Sequence, residues 1–485
     1  MKFGKLLTTI LAVSLALPMC ACKPKNKDES NVSTKETSAK QSSSESESET
    51  DPSTEPSTEP TPSVEPTVPS SVVDESEDPL VIYGYEKTFA VQFAEYLKDI
   101  DYEYIYIEPS QYDAELKKAF SSEKKPDIFM VDADSLSNFT ESDYSIGIEQ
   151  VGISRKDLDD QFEYTYKAAT DKDQSIKALA YDLAPTALIY NRYLADKLLG
   201  SADPSQVSAK LSDWNSFMEQ AREVSLNTEG VVKLLADRQQ LGRLFWEGRS
   251  VSWIKDGKVT IDSEFDRYFA LQEKLFNETL TLEFAEGSEE WTRAINDGQC
   301  VLFFGSLKTA TDVIGYVPGH KEKPEVTPKE TNASNETTET TIPEETGWSI
   351  VPAPSASYDG GAWLMVASTC DKRASAAKVL KALTLDTTVM TDLAVKGRFV
   401  NSRSIMKKCA QDPNFASDFL AGQNPYAVLV PEAERIVIPD EPAVQKCAET
   451  EIQNLFNSYI NQEIETMDEI KQQFIVAMEE LLGLS

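Results

Sequence analysis

The strongest constraint on the fold lies between residues 80 and 131, where short apolar runs alternate with stretches of helical spacing. Leu80-Val81-Ile82-Tyr83 reads as a strand, Phe89, Phe93, Tyr96, Leu97 and Ile100 recur at helical intervals, and Tyr104 to Ile107 reads as a second strand. Tyr112, Leu116, Ala119 and Phe120 mark a second helix, and Asp127 to Val131 a third strand. Apolar residues three and four apart share one helix face, whereas unbroken apolar runs suit strands covered on both sides. A β-α-β-α-β order in so short a span predicts a parallel sheet flanked by helices.

The alternation resumes downstream. Ser212 is placed to cap a helix burying Trp214, Phe217, Ala221 and Val224, and Val231 to Ala236 reads as a strand. Ser263 and Ser288 open helices carrying Phe265 and Leu275, then Trp291 and Ile295, with Gly298 ending the second. Val301 to Phe304, Trp348 to Val351 and Ala362 to Ala367 are further strands. Helices over Arg373 to Leu383 and Thr387 to Ala394, then two long ones after Pro442, finish the chain. The expected class is α/β with a helical C-terminal portion and more strands than one small sheet needs.

The first residues read as a processing signal. Lys2 and Lys5 precede an apolar run from Leu6 to Leu17 that is too short to span a bilayer comfortably. Leu17-Pro18-Met19-Cys20-Ala21-Cys22 then resembles a bacterial lipobox. Cys22, with small Ala21 before it, is the expected lipidation site, and Cys20 is the alternative. An ordinary secretory signal with incidental cysteines is the rival reading. Residues 1–22 are thus expected to be a lipoprotein signal peptide, and two acyl chains would hold the protein on the extracytoplasmic face of the cell membrane. Residues 23–78, almost wholly Ser, Thr, Glu and Pro, cannot bury enough surface to fold and are expected to form an extended, disordered tether. A second low-complexity stretch, 318–346, holds the only histidine, His320, and is expected to be a disordered insert.

Composition excludes several functions. With 47 basic against 81 acidic residues and a net charge of −34, nucleic acid is a poor partner. Cys300, Cys370, Cys409 and Cys447 form no CxxC pair, and His320 alone could add a histidine ligand, so neither a metal site nor a cofactor is expected. An exported location permits disulfides among these four without assigning them, and buried thiols are equally compatible. There is no GxSxG, HExxH or Walker loop, and no Ser-His-Asp or Cys-His set can form around a histidine in a disordered insert. Paired acids suited to a glycosidase arise by chance among so many, so no enzyme is expected.

Four segments, in order, resemble the family 1 extracellular solute-binding proteins, the group that contains maltose-binding protein. They are Pro126-Asp127-Ile128-Phe129, the stretch from Ala180 to Asn191 (AYDLAPTALIYN), Trp291 to Ser306 (WTRAINDGQCVLFFGS), and the stretch from Trp348 to Ala367 with its Pro-Ala-Pro and Gly360-Gly361. Ala180 and Arg192 replace the family's usual Pro and Lys. The resemblance implies a two-lobed, type II periplasmic-binding-protein-like fold, with 79–178 plus 348–395 in one lobe and 179–347 plus 396–485 in the other. Hinge crossings join the lobes, which close over a solute. It further implies a binding subunit of an ABC importer that delivers a sugar or oligosaccharide, unaltered, to a permease. A polyamine, ferric ion or peptide ligand, or a sensor without transport, are the alternatives.

Sugar recognition needs aromatic faces for C–H groups and planar polar groups for hydroxyls. In open α/β sheets such groups stand on loops at the carboxyl ends of strands. Tyr85 and Glu86 follow the first strand, though a loop tip in solvent would look the same. Asp132 and Asp134 follow the third strand and either accept hydroxyls or cap the next helix. Tyr181 and Asp182 fall at the first crossing and are expected to face the cleft. Asp237, Arg238 and Gln239 form a planar trio after Val231 to Ala236, with a surface ion pair as the alternative for Arg238. Tyr358 and Trp363 flank Gly360-Gly361 at a later crossing, with core burial as the rival for Trp363. Trp246 and Trp253 flank a loop, Trp214 and Tyr190 are expected in the core, and Trp291 suits core or cleft. Where relatives carry an aromatic after Gly-Ser, this chain has Leu307, which implies a less aromatic pocket.

Overall fold

The structure, a computed structural model, describes residues 72–247, 249, 251–319, 347–439 and 441–484. The signal peptide with Cys20 and Cys22, the tether as far as residue 71, and residues 320–346 of the insert lie outside these. Along the chain run β1 (Leu80–Gly84), β2 (Tyr102–Tyr106), β3 (Ile128–Asp132), β4 (Ala178–Asp182), β5 (Ala187–Asn191), β6 (Ile254–Lys255), β7 (Lys258–Val259), β8 (Leu302–Gly305), β9 (Trp348–Val351) and β10 (Ala362–Val366). No described helix is long and apolar enough to cross a membrane.

The larger sheet has the order β2-β1-β3-β10-β4. β1 runs parallel to β2 and β3, while β10 is antiparallel to both β3 and β4. β1, β3 and β4 therefore end on one edge, at Gly84, Asp132 and Asp182, and β10 begins there. Ala362 is the register partner of both Asp132 and Asp182. The smaller antiparallel sheet has the order β8-β5-β9, and it brings the start of β5 at Ala187 beside the end of β8 at Gly305 and near the end of β9 at Val351. Its near edge thus faces the segments that join the two sheets.

Two expected boundaries move. β4 belongs to the larger sheet and β9 to the smaller, so the chain passes between sheets at 183–186 and 352–361, not at 178/179 and 347/348. Both strands are short apolar runs, and nothing in such a run names the sheet that will accept it. Val231 to Ala236 makes only isolated bridges, from Lys233 to Cys300 and from Leu235 to Thr281, rather than a strand. Helix Tyr426–Arg435 packs on β5 of the smaller sheet, with helix Arg403–Gln411 against it, and Gln423 bonds both the N–H and the C=O of Ile350 at 2.8 and 2.9 Å. Helices Pro442–Ile460 and Met467–Leu482 share a second core with Trp214–Asn227 and Ser263–Asn277. Cys300, Cys370 and Cys409 are buried thiols in no disulfide, and burial pushes Cys300 and Cys370 up to about 12.

The last residues assigned to the tether are part of the folded body. Helix Arg373–Thr384 has no cap of its own from Lys372. Asp74 supplies one from the far end of the chain, accepting from the N–H groups of Ala374 at 2.7 Å and Ser375 at 3.0 Å, and from Ser375 Oγ at 2.6 Å. Side-chain caps are worth about 1 kcal/mol. Asp74→Ala should therefore lower stability in urea by about that amount and speed hydrogen exchange at the Ala374 and Ser375 amides; unchanged exchange there would show the cap to be idle.

Candidate functional site

Strand direction gathers the site. Glu86 lies two residues beyond β1, and Asp182 closes β4 on the same edge. Arg398, from the third joining segment, residues 396–402 between helices Thr387–Val395 and Arg403–Gln411, bridges them: Nη1 donates to Asp182 Oδ2 at 2.6 Å, and Nη2 lies 3.7 Å from Glu86 Oε2. Its guanidinium also bonds Gln92 and stacks over Phe93, 5.0 Å from the ring centroid. The other Glu86 oxygen accepts from Tyr181 Oη at 2.7 Å. Burial raises the Asp182 carboxyl to about 6, against the opposing pull of Arg398.

Tyr85 stands among these carboxylates. Its ring meets Tyr112 edge-on at 5.1 Å, and its hydroxyl is buried with no protein partner. Burial, then the charges of Asp132, Glu86 and Asp182, hold its phenol well above the ordinary value. Tyr181 departs from expectation. Its ring is in the core against Phe89 and Phe93, so it positions Glu86 through its hydroxyl rather than facing the cleft.

A recess of about 110 Å³ lies between helix Ala133–Thr140, the crossing at Tyr358, Asp359 and Gly360, and the start of helix Pro442–Ile460. Asp132 caps the first of these helices through Ser135 N–H at 2.8 Å, and its side chain remains exposed. Asp134 pairs with Lys446 of the facing helix at 2.9 Å. Tyr358 is half-buried and packs on Tyr164 at 5.2 Å. Asp359 accepts from Thr309 Oγ1 at 2.7 Å, tying the crossing to the helix that follows β8. The crossing passes close to β4: a Cβ on Gly361, at φ +105°, would sit 3.1 Å from the Asp182 carbonyl.

Other candidates lie elsewhere. Asp237 is buried and accepts from the N–H groups of Gln239 at 2.9 Å and Glu286 at 3.0 Å, pinning two loops. Arg238 makes no surface pair exposed on both sides. It is buried, donates to Glu283 at 2.8 Å and Gln272 at 3.3 Å, and lies over Phe456 at 4.8 Å, pointing into the second core. Gln239 is exposed at a helix start, while its neighbour Gln240 is buried and donates to the Phe304 carbonyl at 3.3 Å. Trp363 is 1% exposed, and its Nε1 donates to the Thr165 carbonyl at 3.1 Å, so it is a core residue. Trp246, Trp253 and Trp291 are likewise buried. Reading the sequence missed Arg398. The available signal was a cation just past Gly397, where the chain was expected to leave the first lobe.

The titration of Asp182 gives a signed expectation. Its folded value of about 6 exceeds the ordinary 3.8, so between those limits the folded state binds more protons than the unfolded. Its contribution to stability is therefore greatest at low pH and declines as pH rises toward 6. The difference in thermal midpoint between the wild type and Asp182→Asn should change across this window and level off above it. A difference independent of pH from 4 to 7 (roughly the span of a carboxyl raised this far) would contradict the assignment.

Residues 88–421 match the family described as bacterial extracellular solute-binding protein. Comparison with the curated proteins finds no match. Among solved structures, the sugar-binding protein MalE from Xanthomonas citri superposes with a TM-score of 0.63 at 12% identity, over 84% of this chain and 98% of that one. The GacH receptor of Streptomyces glaucescens, solved unliganded and with acarbose, gives 0.59 at 15% identity, over 84% and 99%. The ABC transporter associated binding protein from B. animalis subsp. lactis Bl-04, in complex with β-1,6-galactobiose, gives 0.56 at 15%, over 83% and 96%. At such identities the likeness is one of fold: two lobes with a cleft between them.

Proposed function

We infer, since the chain belongs to the bacterial extracellular solute-binding proteins, that it captures a sugar outside the cytoplasm and hands it unaltered to an ABC permease. The observation that carries this reading is the constellation of Glu86, Asp182, Arg398 and the buried, unpartnered Tyr85 hydroxyl on the edge that faces the other lobe. Carboxylates held at one oxygen by a guanidinium keep lone pairs for ligand hydroxyls, and charge-assisted bonds of this type are the strong ones. Half-buried Tyr85 and Tyr358 supply ring faces for C–H groups.

Capture proceeds by hinge bending: the open form admits solute, and closure brings the helices carrying Asp134 and Lys446 together over it. Cys22, or Cys20 in its place, carries the lipid that holds the protein at the membrane, and the Ser/Thr/Glu/Pro segment lets it stand off the surface. Calorimetry against a broad glycan panel tests the sugar assignment, and binding by no member of the panel would refute it. Radiolabelled fatty-acid incorporation into the wild type but not into Cys22→Ser tests the anchor; incorporation lost only in Cys20→Ser would move it to the alternative site.

A further inference from the structure

We propose, resting on the sugar-capture reading above, that the ligand is short and bears no negative charge: one or two rings, neutral or carrying an ammonium group. Charge gives the first reason. The edge of the larger sheet presents the carboxylates of Glu86, Asp132 and Asp182. The guanidinium among them, Arg398, is committed to Asp182 at 2.6 Å, to Glu86 at 3.7 Å and to Gln92. Lys446, the one cation among the described residues lining the recess, is paired with Asp134 at 2.9 Å. An anionic ligand would have to draw one of these cations off its carboxylate and sit beside the remaining acids, at a Coulombic cost that rises as water is excluded. A hydroxyl or ammonium group meets acceptors already in place. The Tyr85 hydroxyl is buried next to the same carboxylates without a protein partner, so no cation of the protein reaches it either.

Ring surface gives the second reason, independent of charge. Binding a long glycan along a cleft takes a row of accessible aromatic faces, one for each sugar or two. The chain has six tryptophans. Trp246, Trp253, Trp291 and Trp363 are at most 2% exposed and Trp214 is 7% exposed. Trp348 opens β9 at the end remote from the cleft and meets Phe303 edge-on at 5.8 Å. Of the half-buried tyrosines on the site, Tyr104 donates to the Glu86 carbonyl at 2.8 Å with its ring stacked on Phe89, which leaves Tyr85 and Tyr358 for one or two sugar rings. The Asp134–Lys446 pair, spanning helices of opposite lobes, bounds the recess on one side.

The test uses the mature full chain in calorimetry and thermal-shift titrations. The probes are the monosaccharide, disaccharide, hexasaccharide, 2-amino sugar and uronate of the glucose, galactose, mannose and xylose series, so far as each exists, together with spermidine. The tightest binder is expected to be a neutral or amino mono- or disaccharide. Its hexasaccharide should bind less than about threefold tighter, and its uronate at least about tenfold weaker, the latter being one decade per 1.4 kcal/mol. A uronate that binds best, or a hexasaccharide gaining tenfold or more, would overturn the inference. Spermidine binding with no saccharide bound would refute the sugar reading and uphold the charge preference. Binding of none of the probes would sink both.

Discussion

Replacing Trp363 by Ala will cost about 3–5 kcal/mol of folding stability, the range for deleting a large aromatic from a packed core. The indole stands on β10, the strand that joins β3 to β4, and lies 6.4 Å from the Tyr358 ring. Its Nε1 donates to the carbonyl of Thr165, whose hydroxyl in turn accepts from Asn401 Nδ2 at 3.0 Å. Asn401 also accepts from the Phe162 N–H at 3.0 Å, so this one side chain ties the central sheet to helix Glu163–Ala168 and to the third joining segment. Truncation leaves a void and a carbonyl short of its donor, two costs that add. Trp363→Phe keeps most of the volume and loses the bond, so its expected cost is smaller, about 1–2 kcal/mol. Urea denaturation measures both. A Trp363→Ala protein with a wild-type midpoint that no longer binds ligand would make the indole a stacking platform and defeat the core assignment.

The two readings of Trp363, cleft or core, show what a sequence leaves open. Its place at the start of a strand beside a crossing was legible, because glycines and an apolar run mark both. Which way the ring turns depends on Thr165, far along the chain. Arg238 repeats the lesson: a loop after an apolar run at the right edge was legible, but the partners that draw the side chain inward sit at Gln272, Glu283 and Phe456. β1 and β3 were readable because parallel strands buried on both faces demand unbroken apolar runs, yet the sheet that took β9 was not, since partner choice is non-local. Helix starts were misplaced by one where Ser adjoins Asp. Asp213, not Ser212, and Asp262, not Ser263, make the caps, a carboxylate oxygen being the stronger acceptor for helix N–H groups. That Glu86 and Asp182 share one edge was legible because strand ends on one edge are a general rule of such sheets. Arg398 was not found because its importance comes only from being brought beside both.

That dependence makes Arg398 the position where a substitution should cut binding most. Arg398→Ala removes the shared partner of Asp182 and Glu86 and leaves two carboxylates on one partly buried edge without a counter-charge. Each bond to a charged group is worth about 1.5–3 kcal/mol, so ligand affinity should fall by roughly a hundredfold or more once both acids lose their orientation. Repulsion between the acids will push the Asp182 carboxyl above its wild-type value of about 6, so the loss should be partly recovered at acid pH, where one acid is neutral. Arg398→Lys retains the charge but not the fork, and should fall between the two because one ammonium cannot satisfy both carboxylates in the same plane. The double variant Arg398→Ala with Asp182→Asn separates site from scaffold. If Arg398 acts through the carboxylates, the double variant should be more stable than Arg398→Ala alone, and its affinity should be no worse. Additive losses, with the pH profile unchanged, would mean that Arg398 matters only as a strut over Phe93 and that ligand recognition lies with other residues of the cleft.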